Sequence, residues 1–284
     1  MIFSLSKKYP FFKTEKIGSS LAGRGIYAVH MGNMNNPSLY AGGFHALEWM
    51  TVSLLLNFAD RVCTAYENDS DICGIDVRRS LSTRGIIIVP CVNPDGTEMI
   101  LSGAQSAGKF YKTALEISGG DFSEWNANAR GVDINHNFDA LWSKLREIEI
   151  SQGITVPAPR RYGGAYPESE PETRALTNLC RQYDVRKVMA LHSQGEEIYW
   201  QFDGGAPAGS KAIAQALANA SGYVLSQPDG EIASYGGFKD WFISRYRRPG
   251  FTIEVGKGKN PLPLGDFDKI YAQIEEMLML FAII

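Results

Sequence analysis

The stretch RGIIIVPCVNPDG, residues 84–96, joins an unbroken apolar run to a cluster of turn-forming residues. The run IIIV, residues 86–89, leaves no polar position on either face of a strand. Such a run is typical of a strand buried on both sides, in a sheet that helices cover. The segment NPDG, residues 93–96, favours a turn immediately afterwards. We therefore expect a buried central strand here.

The rest of the chain alternates helical and strand patterns. In residues 45–66 the apolar side chains recur at helical spacing, which predicts a core-facing helix. Residues 101–130 are rich in Gly, Ser, Ala and Asn, which predicts a long surface loop. The helix at 168–183 is predicted to begin with a capping box of Ser169 and Glu172. The further strands are predicted at 26–30, 38–43, 185–193 and 251–256, and the further helices near 141–150, 209–221, 236–248 and 266–283.

This alternation predicts an α/β fold. No internal repeat or low-complexity linker divides the chain, so we expect one domain over residues 1–284. Its core is predicted to be a mixed, twisted β-sheet with helices on both faces.

Composition excludes several classes of protein. A net charge of −3 gives no electrostatic reason to expect nucleic acid or an anionic membrane as a partner. The longest apolar runs, residues 86–92 and 277–284, are too short to span a bilayer. The N-terminus lacks the pattern of a secretory signal, and the four cysteines are scattered. We therefore predict free thiols in a cytoplasmic protein, and an exported protein without its signal is the alternative.

The helix at 45–66 begins with His45 and, three residues later, Glu48. Side chains at this spacing point the same way. Two interpretations are open. Glu48 is favoured by the dipole of the helix N-terminus, so the pair can be a simple polar start. Alternatively, the two side chains are ligands of one metal ion.

His192 is the best candidate for a third ligand. It lies at the carboxyl end of the apolar strand 185–193, where ligands gather in open α/β sheets. His30 lies within a strand, and we interpret it as a structural imidazole. Together His45, Glu48 and His192 make a set of two His and one Glu with an open fourth position, which is typical of catalytic zinc.

Glu254 lies between Ile253 and Val255 in a strand that otherwise reads as core. A buried carboxylate without a partner costs several kcal/mol, so it must be protonated, paired or facing a polar cavity. It can also be a strand-end residue that faces solvent. The functional interpretation is a general base beside a zinc-activated water.

Five motifs occur in a fixed order, and as an ordered set they are specific. They are HALE (45–48), NARGVDIN (128–135), SEPET (169–173), LHSQG (191–195) and GGFKDW with FTIEVG (236–256). This set resembles the zinc carboxypeptidases of the carboxypeptidase A type, from about residue 15 to residue 282. The phrase HSQGEEIYW (192–200) is more similar to the bacterial branch that cleaves γ-D-glutamyl-diamino acid bonds in peptidoglycan peptides.

The resemblance implies one Zn²⁺ ion held by His45, Glu48 and His192, with Glu254 as general base. It also implies roles for three residues of the second motif. Arg130 corresponds to the arginine that stabilises the tetrahedral oxyanion, although a surface arginine is the alternative. Asp133 corresponds to a carboxylate that orients the first zinc histidine, and Asn135 to an asparagine that holds the terminal carboxylate of the substrate.

Three positions depart from the family pattern. His136 replaces the arginine that clamps a C-terminal carboxylate, and Leu47 replaces a second arginine. The mobile substrate-facing tyrosine falls on Ile232, with Tyr235 nearby as a candidate for substrate binding. Because a neutral imidazole lacks the bidentate guanidinium fork, we do not expect strong recognition of an ordinary α-carboxylate.

Lys239 falls where the family places a residue of the specificity pocket. A cation there suits a substrate side chain that carries a carboxylate, as diaminopimelate does. The alternative is a lysine on a helix surface.

The sequence therefore predicts a zinc metallopeptidase whose partner is a peptide or muropeptide, with no nucleic acid and no membrane. The predicted bond joins γ-D-Glu to a diamino acid such as diaminopimelate. Two alternatives stay open: an N-acyl amino acid deacylase on the same zinc site, and a catalytically silent relative that binds peptides.

Overall fold

The computed structural model describes residues 2–227 and 235–284, and its centre is an eight-stranded sheet. The described residues form ten strands, which are β1 (Lys13–Ser19), β2 (Gly25–Gly32), β3 (Ser38–Ala41), β4 (Asp71–Ile72), β5 (Ile75–Asp76), β6 (Gly85–Val89), β7 (Lys187–His192), β8 (Glu197–Tyr199), β9 (Val224–Ser226) and β10 (Gly250–Glu254). The sheet order is β1-β2-β6-β3-β7-β10-β8-β9, and β4 and β5 form a separate pair. Parallel and antiparallel pairs both occur, so the sheet is mixed, as predicted.

Ten α-helices surround this sheet in the described part of the chain. They are α1 (Ile2–Lys8), α2 (Met50–Asn68), α3 (Val77–Thr83), α4 (Pro94–Ser102), α5 (Tyr111–Ser118), α6 (Trp142–Ser151), α7 (Pro171–Gln182), α8 (Ser210–Ser221), α9 (Phe238–Tyr246) and α10 (Phe267–Ile283). None of the helices among residues 2–227 and 235–284 is long and apolar enough to cross a membrane.

Strand β6 is buried along its whole length, and its side chains alternate between two cores. Ile86 and Ile88 pack into the cluster that includes residues of α2, α8 and α10. Ile87 and Val89 pack into the opposite cluster, with residues of α7 and α9. This alternation follows from the two-residue period of a strand, and it confirms that helices cover both faces.

The prediction of a long surface loop at residues 101–130 is wrong for much of that segment. It contains a 3-10 segment, Ala104–Phe110, and helix α5. Trp125 is fully buried in a small core built largely from alanines, most of which belong to this segment. Ala46 belongs to the same core, so this segment supports the turn that carries His45.

The predicted capping box at the start of α7 is also wrong. The helix begins at Pro171, and no side chain caps it. Ser169 Oγ donates instead to Glu170 Oε1 at 2.7 Å. The Glu172 carboxylate is buried and accepts from the backbone N–H of Leu21 at 3.0 Å.

Burial raises the pKa of Glu172 to about 7, and the nearby carboxylates Glu170 and Asp95 add to this shift. The unfolded chain releases this proton near the ordinary value of 4.5, whereas the folded chain holds it to about 7. The unfolded state therefore binds fewer protons in this window, and the free energy of unfolding falls as the pH rises through it.

Replacement of the ionisable group, Glu172→Gln, is expected to raise the free energy of unfolding at about pH 8 by roughly 1–3 kcal/mol and to give no gain at about pH 4. Urea denaturation at both pH values measures the difference. Glu116→Gln, at an exposed position of α5, serves as the control. An equal effect of Glu172→Gln at both pH values contradicts this role of burial.

Three parallel strands bring the candidate site residues together. Strand β7 pairs with β3 on one side and β10 on the other, so their carboxyl ends meet at one edge of the sheet. Strand β7 ends at His192 and β10 ends at Glu254, and these two residues are partners in the register. The chain after β3 turns directly toward His45.

Candidate active site

The turn after β3 positions His45 and Glu48. A 3-10 turn, Ala46–Glu48, follows His45, and side chains at i and i+3 eclipse in this geometry. Gly43 has a φ of +60°, and a Cβ there would lie 2.8 Å from the side chain of Val52. Only glycine fits this approach, so the small residues before His45 let the turn pack directly on α2.

The three predicted ligands converge on one point. His45 Nδ1 lies 2.8 Å from Glu48 Oε1, and His192 Nδ1 lies 3.0 Å from Glu48 Oε2. One ligand atom from each of the three residues lies within 4.8 Å of the others. The ring of Phe44 stacks on His192 with centroids 5.0 Å apart, which fixes the orientation of that imidazole.

Asp133 fixes the tautomer of His45. Its Oδ1 lies 3.1 Å from His45 Nε2, and its two oxygens also accept from the backbone N–H groups of Asn135 and Arg161. Because a carboxylate in such a network only accepts, His45 Nε2 carries the proton and donates it. With Nε2 directed at Asp133, Nδ1 is the nitrogen that faces Glu48 and that can bind a metal ion in place of a proton.

The electrostatics of the cluster fit a cation. Burial lowers the pKa of His45, but the Glu48 and Asp133 carboxylates outweigh it and raise the pKa well above its usual value. Burial opposes ionisation of Glu48, but His45 and His192 lower its pKa to about 2. Two imidazole nitrogens that face a carboxylate need a proton or a metal ion between them, and two His with one Glu is a zinc donor set.

Glu254 is partly exposed to the cleft beside this cluster. Burial, followed by repulsion from Glu48, raises its pKa well above the ordinary value. The carboxyl group therefore needs a positive charge nearby in order to ionise, and the same cluster provides the place for one. The prediction that Glu254 faces a polar cavity rather than bulk solvent agrees with this position.

A cavity of about 290 Å³, here called the active-site cavity, adjoins the ligand cluster. Its walls include His45, His192 and Glu254 together with all four residues predicted to bind substrate, which are Asn135, His136, Tyr235 and Lys239. Ile232 lies outside the described residues.

Lys239 is not a helix-surface lysine. It is only 4 % exposed, and its Nζ donates to the carbonyl oxygen of Gln201 at 2.5 Å and pairs with the carboxylate of Asp240. Asp240 is 6 % exposed, and its pKa is raised by burial despite the neighbouring Lys239. The active-site cavity therefore contains a buried pair of opposite charges.

His136 is held by Glu149 rather than free in the cleft. Its Nδ1 lies 3.1 Å from Glu149 Oε1 and 3.1 Å from the carbonyl oxygen of Arg161. Burial lowers the pKa of His136, but Asp133 and Glu149 outweigh it and raise the pKa above its ordinary value. The raised pKa shifts the imidazole toward its charged form.

The remaining predicted contacts are positioned by neighbours. Asn135 Oδ1 accepts from the backbone N–H of Phe238 at 3.0 Å, which orients the amide. The Tyr235 hydroxyl contacts Lys144 Nζ, and its ring packs edge-on against Phe202.

Arg130 lies elsewhere. Its Nε and Nη2 donate to the two oxygens of Glu170 at 2.8 and 2.6 Å, in a bidentate ion pair. Arg130 is not among the described residues that line the active-site cavity. In this structure the guanidinium therefore binds the Glu170 carboxylate, and the geometry gives no support to an oxyanion role.

Three further residues line the active-site cavity, namely Asp240, Tyr199 and Thr252, and the sequence predicts no site role for Asp240 and Thr252. Thr252 precedes Glu254 by two residues on β10, so strand alternation alone places both on one face. Asp240 follows Lys239 directly in the quoted motif. Tyr199 lies on β8, and no pattern in the sequence pairs that strand with β10.

This fold and this ligand cluster define a zinc metallopeptidase of the carboxypeptidase type. The chain belongs to the zinc carboxypeptidase family, whose profile matches residues 1–278. The Gamma-D-glutamyl-L-diamino acid endopeptidase 1 of Lysinibacillus sphaericus is 37% identical over 274 residues, which are 96% of this chain and 67% of that protein.

Solved structures agree on the fold. Bovine thrombin-activatable fibrinolysis inhibitor, in complex with tick carboxypeptidase inhibitor, matches with a TM-score of 0.76 at 20% identity, over 99% of this chain and 93% of that one. A murein-tripeptide amidase of Escherichia coli O157 matches with a TM-score of 0.54 at 22% identity, over 94% of this chain and 89% of that one. At these identities the similarity concerns the fold alone.

Proposed function

We propose that this zinc peptidase hydrolyses the bond between γ-D-Glu and a diamino acid in peptidoglycan stem peptides. The observation that carries the proposal is the buried pair of Lys239 and Asp240 in the active-site cavity. The far end of diaminopimelate bears one ammonium and one carboxylate, so the two charges of the pair complement it. The name of the L. sphaericus relative supports the same bond.

The ligand roles follow from the geometry of the cluster. His45 and His192 would hold zinc through Nδ1, and Glu48 through its carboxylate. Asp133 keeps the proton on the far nitrogen of His45, which orients the ring and makes Nδ1 the better ligand. When bound, zinc supplies Lewis-acid polarisation of the scissile carbonyl and a lower pKa for water.

Glu254 is proposed to move the proton. Its carboxylate takes a proton from the attacking water as the water oxygen bonds to the γ-carbonyl carbon of D-Glu. The same proton then passes to the amide nitrogen as the carbon–nitrogen bond breaks, so that the diamino acid leaves as a neutral amine. Glu254 is the register partner of His192, and both line the active-site cavity, which supports this role.

The positive charges around the cavity suit the substrate. His136 and Asn135 line the cavity, the pKa of His136 is raised and the Asn135 amide is oriented, so we propose that both contact the carboxylate next to the leaving amine. Tyr235 is proposed to close one side of the same subsite. An oxyanion role for Arg130 stays a prediction that requires release from Glu170. The extent of one peptidase domain over residues 1–284 and the cytoplasmic location also stay predictions.

Lys239→Met is expected to lower the preference for diaminopimelate over lysine at the leaving position by about 10- to 100-fold, because a buried charged contact with the distal carboxylate is lost. The ratio of kcat/KM for two tripeptides that differ only at this residue measures the preference. This ratio is insensitive to partial unfolding of the variant. Lys112→Met, at an exposed position of α5, is the matched control. An unchanged ratio in Lys239→Met contradicts the role of Lys239.

Mass spectrometry of L-Ala-γ-D-Glu-meso-diaminopimelate, incubated with the zinc-loaded protein, tests the proposed function. Release of free diaminopimelate is the expected result. A parallel panel of N-acyl amino acids tests the deacylase alternative. If acyl amino acids are cleaved and the tripeptide stays intact, the deacylase replaces the proposed substrate. If zinc is bound and nothing is cleaved, the silent peptide-binding relative is the better description.

A further inference from the structure

A second cavity, of about 660 Å³, adjoins the ligand cluster through residues that do not line the active-site cavity. Leu47, which stands between the ligands His45 and Glu48 in the chain, forms part of its wall. Asn260 forms another part. It donates to the carbonyl oxygen of Ser193 at 2.7 Å and accepts from the Ser193 hydroxyl at 2.8 Å, and Ser193 directly follows His192. The two cavities therefore flank the same ligand set.

The lining of this second cavity has a distinct chemistry. Leu47, Met99, Ile100 and Phe122 give it an apolar wall. Lys259 is exposed at its edge, and in residues 2–227 and 235–284 we find no ion pair or hydrogen bond that engages its ammonium group. Lys257, two residues earlier, is paired with Glu196 at 2.7 Å, so the two neighbouring lysines differ in this respect.

We propose that this cavity binds the acyl side of the substrate, with Lys259 pairing with the α-carboxylate of the D-glutamyl residue. The inference rests on the proposed function. A peptide bond held at the ligand cluster has its amine side in the active-site cavity, where Lys239 and Asp240 lie. Its acyl side then extends toward Leu47 and Asn260. A γ-linked D-Glu carries a free α-carboxylate on that side, and the methyl group of the preceding L-Ala suits the apolar wall.

Two tripeptides that differ in one group test the inference. The first is L-Ala-γ-D-Glu-meso-diaminopimelate, and in the second the α-carboxylate of D-Glu is replaced by a carboxamide of similar shape. Wild type is expected to prefer the carboxylate by about 3- to 10-fold in kcat/KM at low salt, the scale of a solvent-exposed charged contact. The preference should decrease as salt is added, because an exposed pair is screened.

Lys259→Met is expected to lower the preference to about one and to remove its salt dependence, with little change on the carboxamide substrate. Lys257→Met is the matched control and is expected to keep both. If wild type cleaves both tripeptides without preference, or if Lys259→Met keeps the preference, the inference is wrong while the proposed function stands. If wild type cleaves neither tripeptide, the proposed function fails and the inference fails with it.

Discussion

Glu254→Gln is expected to lower kcat by about 10²- to 10⁴-fold while the protein keeps its zinc, the usual effect of removing a positioned acid–base group. The amide has nearly the shape of the carboxyl group, so the register between β10 and β7 is preserved. It cannot accept a proton from the attacking water. Steady-state kinetics on the tripeptide, with metal content measured on the same sample, separates these two properties.

Glu197→Gln provides the matched control for this variant. Glu197 is the residue of β8 that pairs with Glu254 in the register, and its carboxylate accepts a hydrogen bond from the Tyr199 hydroxyl. It does not line the active-site cavity. We expect the turnover of Glu197→Gln to stay within a few-fold of wild type. Wild-type turnover by Glu254→Gln would remove this residue from the mechanism, and loss of zinc from the same variant would assign it to metal binding instead.

His45→Ala is expected to weaken zinc binding by about 10²- to 10³-fold, if the roughly 10–16 kcal/mol of zinc binding is shared among four ligands. The imidazole supplies one of three protein donors, and after its removal Glu48 and His192 are the remaining members of this ligand group. Metal content after dialysis, together with competition against a chelator, measures the loss without reference to activity.

Two further variants test whether the loss of zinc affinity depends on this site. Asp133→Asn keeps every ligand but weakens the acceptor for His45 Nε2, so a loss of about 10- to 100-fold in zinc affinity is expected. His30→Ala is the control, because His30 lies against Glu15 and the ring of Tyr183. If His45→Ala retains one equivalent of zinc after dialysis with chelator, His45 and Glu48 are not a ligand pair.

The central strands were predictable because all of their residues favour the same structure, a buried strand. The IIIV run of β6 is apolar on both faces, and no alternative pattern competes with it. The prediction of a surface loop at residues 101–130 was wrong because alanine is common in both loops and tight cores. Only the packing of Ala107 and Ala114 on Trp125 distinguishes the two cases. The sheet order was not predictable at all, since β6 lies between β2 and β3 through pairings that no local sequence signal encodes.

The candidate zinc ligands and Glu254 were predictable because each of them has a local signature. His45 and Glu48 are three residues apart, and His192 and Glu254 are the last residues of apolar strands. Contacts between distant residues were not predictable. The pairing of Arg130 with Glu170 joins residues 40 positions apart, and no local pattern in the sequence predicts it. The pairing of Lys239 with Asp240 joins neighbours, but their burial depends on how α9 packs against β10 and β7.

Hydrolysis of the tripeptide in water enriched in heavy oxygen tests the central claim most directly, with the masses of both products measured. We predict that L-Ala-D-Glu gains one heavy oxygen, that diaminopimelate gains none, and that Glu254→Gln forms neither product at a comparable rate. This result places attack by water at the γ-carbonyl carbon of D-Glu. An intact tripeptide with zinc bound, or heavy oxygen recovered in diaminopimelate, would contradict it.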